Sequence, residues 1–319
     1  MGLEETAGNI LVTGASGRLG SALVKALIAK GYRVNALVQK GDNEVEGAST
    51  FFADINDKAT IEKAFENVDI AVHLAAIVSQ YKFGKVAIHR VNVEGTRNVV
   101  DLCKIHNVNR IIFASTVDVY GQNRQNVLNE GSTLKPADAY GKSKVEAERI
   151  IVSSGIAYTI FRMAVIYGPA FEASFFKVFD AVAKGKAYII GDGVNVLSLI
   201  NIKDVVNAYI LAIQGGGAPS GIYNLGDGMY YTQSYLYNLA ARLLGVNSMP
   251  KHISKLLAFI VARAKGFDID ELRFITSNRK LDISKVKKEL SFTPKVDIIN
   301  GGSELVNMFK GSPKNDQAI

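Results

Sequence analysis

One cysteine, no tryptophan, four histidines and six prolines stand in a chain of 319 residues. A single thiol excludes a disulfide-stapled scaffold, and so little proline excludes collagen-like or polyproline architecture. No run of 18 apolar residues occurs, so no segment is expected to span a bilayer as a helix. His73, His89, His106 and His252 show no metal-ligand spacing to one another or to Cys103, so no metal site is expected. Cys103 falls mid-helix and reads as core. Charge of either sign is also scarce in blocks: 37 Lys+Arg against 30 Asp+Glu leave +7, spread along the chain. The densest basic run, Lys285, Lys287 and Lys288, is flanked by Asp282 and Glu289 and reads as a solvated helix face. No nucleic-acid partner is therefore expected. The acidic start MGLEETAG lacks the apolar core of a secretory leader.

What is present is apolar residue in quantity, 48% of the chain, which excludes a disordered class and supplies a large core. The length allows two domains, or one large α/β unit with a smaller appendage. Asn9 to Thr13 reads as a strand, Leu19 to Lys30 as a helix and Arg33 to Val38 as a second strand, a βαβ unit. Further buried strands follow at Thr50 to Ala53, Ile70 to Leu74 and Arg110 to Ala114, with helices near Lys58 to Phe65 and Val86 to His106. This alternation predicts a Rossmann-type, doubly wound parallel sheet covered by helices on both faces. After Gly168-Pro169 the regularity weakens, with helices near Phe175 to Lys184 and Thr232 to Leu244. Leu256 to Ala262, flanked by Lys251, Lys255, Arg263 and Lys265, reads as a domain helix packed on a core, with a membrane-surface helix as the alternative.

Thr13-Gly14-Ala15-Ser16-Gly17-Arg18-Leu19-Gly20 follows a strand and opens a helix, the context that a dinucleotide pyrophosphate requires. Gly14 permits the tight turn, Gly17 lets backbone approach phosphate, and Gly20 lets helix pack on strand. The helix N-terminus adds N–H donors and partial positive charge. The second strand ends Leu37-Val38-Gln39-Lys40, without the acid that usually meets the ribose hydroxyls of NAD. With Arg18 and Lys40 placed to meet a 2′-phosphate, NADP is the preferred cofactor and NAD the alternative. Tyr140 and Lys144 form a YxxxK pair on a helix predicted over Ala139 to Ser153, where i and i+4 share a face. An ammonium about 5 Å from the phenol, at an effective dielectric near 20, is worth roughly 3 kcal/mol. That is enough to draw Tyr140 down toward the range useful for general acid/base catalysis.

Together these motifs resemble the extended short-chain dehydrogenase/reductase superfamily, which holds nucleotide-sugar epimerases, dehydratases, dihydroflavonol reductases and 3β-hydroxysteroid dehydrogenases. The likeness runs through TGASGRLG at 13, ADI at 53, HLAA at 73, VNVEGTRN at 91, ASTVDVYG at 114, YGKSK at 140, FRMAVIYGP at 161, INIKDV at 200 and LDISKVKKEL at 281. It implies that Asp54 and Ile55 contact adenine, that Leu74, Ala75 and Ala76 line the cofactor, and that Thr116 bonds the reacting oxygen beside Tyr140. It further implies a dinucleotide-binding Rossmann domain over 1–168 with a return near 200–228. The smaller, discontinuous substrate-binding domain is then 169–199 with 229–319. Asn92 is expected near the catalytic end of the sheet.

Departures from the family patterns discriminate among its activities. Dehydratases carry an Asp-Glu pair after the Thr, whereas Val117 and Asp118 stand here, so dehydration is not expected. Many epimerases place a diphosphate-gripping Arg where this chain has Leu197, which weakens that clamp. Phe171, Phe175, Phe176, Phe179 and Tyr188 read either as lining for a compact apolar substrate or as ordinary helix packing. The stretch from Met249-Pro250 through Lys285 is similar to the steroid-dehydrogenase and dihydroflavonol-reductase branch. The expected activity is therefore hydride transfer between nicotinamide and a secondary alcohol or ketone, with Thr116, Tyr140 and Lys144 catalytic. A nucleotide-sugar epimerase with retained NAD is the first alternative, and a cofactor-sensing regulatory protein the second. The resemblance implies a homodimer acting on a small-molecule substrate, and the composition with its single cysteine predicts a cytoplasmic location.

Overall fold

A computed structural model describes residues 8–78, 80–121, 127–247, 250–264, 269, 272 and 275–312. The acidic start and Lys265 thus lie largely or wholly outside the described residues. The chain forms two compact units, the first from Met1–Ala164, Val205–Leu225 and Leu281–Thr293, the second from Val165–Asp204, Gly226–Lys280 and Pro294–Ile319.

The first unit is built on β1 (Asn9–Thr13), β2 (Arg33–Val38), β3 (Ser49–Phe52), β4 (Ile70–His73), β5 (Arg110–Thr116) and β6 (Ala157–Met163). With the strand Gly221–Leu225 they form a seven-stranded sheet, ordered β3, β2, β1, β4, β5, β6 and Gly221–Leu225, and every pairing is parallel. Ile10, Leu11 and Val12 of β1 are all buried, as expected of a central strand covered on both faces. The chain leaves β1 for β2 on one side and later places β4 on the other. That reversal opens a crevice at the carboxyl ends of β1 and β4, where open α/β sheets bind ligands.

Helix α1 (Arg18–Ala29) turns Leu19, Leu23, Val24 and Leu27 onto this sheet. Its Gly20 meets the backbone directly: a Cβ there would collide with the Gly14 carbonyl and lie 2.8 Å from the Ala15 Cα. Helix α2 (Lys58–Ile61) runs on as a tight turn to Phe65. The helix expected from Val86 begins earlier: α3 (Gln80–His89) is kinked at Gly84 and passes through a wide turn at Arg90–Glu94 into α4 (Gly95–Ile105). Helix α5 (Ala139–Val152) starts where the Asp138 carboxylate accepts the Gly141 N–H at 2.6 Å. Cys103 lies in the core with Leu102, Ile111, Ala147 and Ile151.

The segment Leu281–Thr293, expected in the smaller domain, belongs to the first unit. Leu281 bridges Leu128, the Lys285 ammonium donates to the Ile222 carbonyl at 3.0 Å, and Tyr223 donates to Glu289 at 2.8 Å. Lys285 is therefore anchored rather than solvated. Its ammonium also stands 4.9 Å from the Tyr223 ring centroid.

The second unit packs α6 (Ala173–Ala183) and, beyond α7 (Ile202–Ile213) in the chain, α8 (Gln233–Leu244) with the helix Ile298–Gly311. Of the aromatic run, Phe175, Phe176 and Phe179 pack in the core of this unit, where Phe176 and Phe179 meet Phe309 edge-on with ring centroids 5.4 and 5.8 Å apart, whereas Tyr188 is exposed. On α9 (Lys255–Ala264) the packed face is the small one. Ala258 and Ala262 are buried, while Leu256, Leu257 and Ile260 are exposed.

Candidate active site

The crevice at β1 and β4 is a cavity of about 820 Å³. Gly14, Ser16 and Gly17 line it from the loop, Asp54 and Ile55 from beyond β3, and Leu74, Ala75 and Ala76 from beyond β4. Gly14 has φ 68°, and a Cβ on it would stand 2.9 Å from the backbone of Ala75. Its N–H donates to the Leu37 carbonyl at 3.0 Å, which ties the loop to β2. A cavity of this size beside a helix N-terminus, its loop closed to any side chain at Gly14, fits a dinucleotide.

Six expected cofactor residues are not among its lining: Arg18, Leu19, Gly20, Lys40, Tyr140 and Lys144. Leu19 and Gly20 are buried in the first turn of α1. An acid that the sequence reading did not place lines it instead. The chain turns at Gly41 (φ 96°), Asp42 N–H donates to the Gln39 carbonyl, and the Asp42 carboxylate accepts Ser16 Oγ–H at 2.5 Å and Gln39 N–H at 3.2 Å. The carboxylate missing from the end of β2 thus arrives from four residues beyond it. The signal was the Gly-Asp pair, since glycine permits the positive φ that folds the chain back.

Thr116 ends β5, and Tyr140 stands in the first turn of α5. The Thr116 hydroxyl stands close enough to the Tyr140 phenol to favour its ionised form. Thr116 Oγ also exchanges two bonds with Asp118, donating to its carboxylate and accepting its N–H, each at 3.2 Å. Lys144 is 2% exposed; its ammonium donates to the Ala114 carbonyl at 2.8 Å and lies 5.8 Å from the Tyr140 ring centroid. The structure therefore brings Thr116, Tyr140 and Lys144 together.

The electrostatics reverse the expectation for Tyr140. Burial, then Asp118 and Asp138, push its phenol well above the ordinary value, and only the Thr116 bond opposes them. Lys144 does not offset this because burial acts on it too. It is lowered to about 7, with Glu148 pulling the other way. A lysine that folds with a depressed pKa weakens the fold below its unfolded value near 10.5, fully so below about 7. In nucleotide-free protein, wild type should accordingly gain thermal stability relative to Lys144→Met as pH rises from 7 to 10. A midpoint difference that stays flat across that range would contradict it.

Asn92, expected near this end of the sheet, is buried against Ile77 and Ser143. In the second unit, Leu197 occupies the position where an epimerase arginine was sought, and Arg279 forms a backbone bridge directly with it. Arg279 is 6% exposed, and its Nε donates to Ser277 at 2.9 Å. A guanidinium thus stands on the neighbouring segment, 82 positions along the chain, which no local pattern announces.

A glycine-turn cradle at the switch point of a parallel sheet, with a Thr–Tyr–Lys set at the ends of β5 and α5, defines a dinucleotide-dependent short-chain dehydrogenase/reductase architecture. The model of the NAD dependent epimerase/dehydratase family matches residues 10–226. A UDP-glucose 4-epimerase of Vibrio cholerae is 28% identical over 319 residues, covering 94% of this chain and 95% of that one. Sterol demethylase protein B of Methylococcus capsulatus is 27% identical over 311 residues, covering 89% and 93%. The solved UDP-glucose 4-epimerase of Thermotoga maritima, with UDP-glucose, superposes with a TM-score of 0.79 at 27% identity over 95% of this chain and 98% of its own. The chain belongs to the NAD-dependent epimerase/dehydratase family, and it is an enzyme of the extended short-chain dehydrogenase/reductase type.

Proposed function

We propose that the protein is a nucleotide-sugar 4-epimerase of UDP-hexose type that works with retained NAD. The observation that carries this reading is the Asp42 carboxylate at the cofactor cavity. A carboxylate there accepts ribose hydroxyls and repels a 2′-phosphate; two unit charges about 5 Å apart at an effective dielectric near 20 oppose each other by roughly 3 kcal/mol. NAD, rather than the NADP expected from Arg18 and Lys40, is therefore the cofactor, held by Gly14, Ser16, Gly17, Asp42, Asp54, Ile55 and Leu74 to Ala76. The near-complete overlap with two UDP-glucose 4-epimerases supports the same substrate class.

In this reading Thr116 and Tyr140 hold the oxygen of the reacting sugar carbon. Tyr140 acts as base in its ionised form, taking the proton from that hydroxyl to become the phenol that later returns it, while Thr116, itself fixed by Asp118, orients the oxygen. Lys144, anchored on Ala114, stands one turn beyond Tyr140 with its ammonium 5.8 Å from the ring centroid. NAD supplies the hydride acceptor and donor when bound. A cytoplasmic homodimer forms part of the same proposal.

The test is to purify the protein without added nucleotide, denature it and identify what is released, then incubate the native protein with UDP-galactose. Released NAD and conversion to UDP-glucose without net NADH are expected. An empty protein that consumes NADPH on ketones would overturn the reading in favour of a simple oxidoreductase, which the sterol-enzyme relative makes the second candidate. Asp42→Ala should tighten NADPH binding by about tenfold, equivalent to about 1.4 kcal/mol. Unchanged NADPH affinity would remove Asp42 as the selecting group.

A further inference from the structure

A continuous set of buried polar side chains runs from the cofactor cavity wall to the helix that carries Tyr140. Thr13, His73, Thr96, Asn92 and Ser143 are each no more than 4% exposed. Thr13 Oγ lies 2.8 Å from His73 Nδ1, and His73 Nε2 lies 3.0 Å from Thr96 Oγ. Thr96 donates to the Asn92 carbonyl at 2.6 Å. The Asn92 carboxamide accepts the Ile77 N–H at 2.8 Å and donates to the Ile77 carbonyl and to Ser143 Oγ, both at 2.9 Å. Ser143 donates to the Tyr140 carbonyl at 2.7 Å.

The protons in this set have one consistent arrangement. Thr96 spends its hydrogen on the Asn92 carbonyl, so toward His73 it can only accept, and His73 Nε2 carries the ring proton. Nδ1 is then the acceptor and takes the Thr13 hydroxyl hydrogen. The lone pairs of Thr13 remain for the N–H groups of Leu74 and Ala75, each at 3.2 Å. Burial, with Lys144 nearby, lowers His73 to about 3, so the neutral ring persists at every working pH. No member is left without a partner, the condition under which a buried network rigidifies its surroundings.

We infer that Thr13, His73, Thr96, Asn92 and Ser143 form a positioning relay that fixes the cavity wall Leu74–Ile77 in register with the first turn of α5, and hence with the Tyr140 hydroxyl. The wall is held at two points, Leu74 and Ala75 by Thr13 and Ile77 by Asn92. The same Asn92 reaches Ser143, three residues beyond Tyr140. The relay rests on the reading of Tyr140 as the acid/base, but its geometry needs no particular substrate.

Amide hydrogen exchange on nucleotide-free protein tests it with Thr13→Val, which keeps the shape and removes the hydroxyl, and Thr13→Ser, which restores it. Thr13→Val should speed exchange across residues 140–144 about tenfold, although Thr13 touches none of them. Exchange in α8 should be unchanged, and Thr13→Ser should return the wild-type rates. Acceleration confined to the amides near residues 13 and 73–75 would overturn the relay. NADH titration of Thr13→Val, Ser143→Ala and the double variant gives a second measure that survives poor folding of any one variant. Losses in affinity that fail to multiply support coupling, and losses that multiply oppose it, because Thr13 and Ser143 share no partner. If wild type binds no NADH, the functional reading fails while the exchange result still decides the relay.

Discussion

Tyr140→Phe is expected to lower turnover of UDP-galactose by about 10²-fold or more while leaving NADH affinity and thermal stability close to wild type. The substitution removes one hydroxyl and keeps the ring. Thr116, its partner, keeps both bonds to Asp118, so no buried polar atom of the pair is left stranded. A loss of that size is about 2.7 kcal/mol in the activation barrier, the scale of one proton-transfer group. Turnover within threefold of wild type would remove Tyr140 from the mechanism. A parallel loss of NADH binding would instead show that the phenol serves the cradle.

The second large effect concerns stability. Glu148→Gln is expected to cost about 3 to 5 kcal/mol in urea denaturation, more than any surface substitution. Glu148 and Arg162 form an ion pair at 2.7 Å with side chains only 5% and 3% exposed. Ser115 donates to Glu148 Oε1, while Arg162 also donates to the Tyr120 hydroxyl at 3.1 Å and the Glu130 carbonyl at 3.0 Å. The pair raises Arg162 above its ordinary range despite burial. Neutralising Glu148 leaves a guanidinium in the interior without its counter-charge, and that uncompensated charge is the cost. The effect should reach the site as well. Glu148 stands on α5, one turn beyond Lys144, and Ser115 precedes Thr116 on β5, so their hydrogen bond ties together the two elements that present the hydroxyls. Replacing both partners, as Glu148→Met with Arg162→Leu, should recover much of the loss. A Glu148→Gln variant less than 1 kcal/mol weaker than wild type would contradict the account.

The elements that were legible in the sequence are those that local periodicity and spacing specify. Strand β1 reads as apolar because both faces are covered, α1 as helical because its buried residues recur at turn spacing, and the cradle as a cradle because Gly14 and Gly20 stand where no side chain fits. Tyr140 and Lys144 share a face because four residues are about one helical turn, and this too is local. Their titration behaviour is not local. It depends on how much water the surrounding elements exclude, and burial from several segments outweighed the pair attraction that spacing alone suggests.

Other residues became visible only when distant segments met. Asp42 reaches Ser16 across 26 positions through a turn at Gly41, and the proposal of NAD over NADP rests on that carboxylate. Arg279 joins Leu197, Asn92 joins Ser143, and Leu281–Thr293 joins the sheet of the first unit, all by pairings whose partners carry no mutual signature in the chain. The sequence by itself determined the parallel α/β sheet, the glycine cradle and the placing of Tyr140 and Lys144 on one helix face, because each follows from hydrophobic period, turn chemistry or helical spacing, whereas Thr116 was expected only through the resemblance to a family. Only the tertiary structure decided which carboxylate faces the cofactor cavity, which groups are desolvated and how the cavity wall is tied to the Tyr140 helix, because charge and hydrogen-bond energies depend on distance through space and on excluded water.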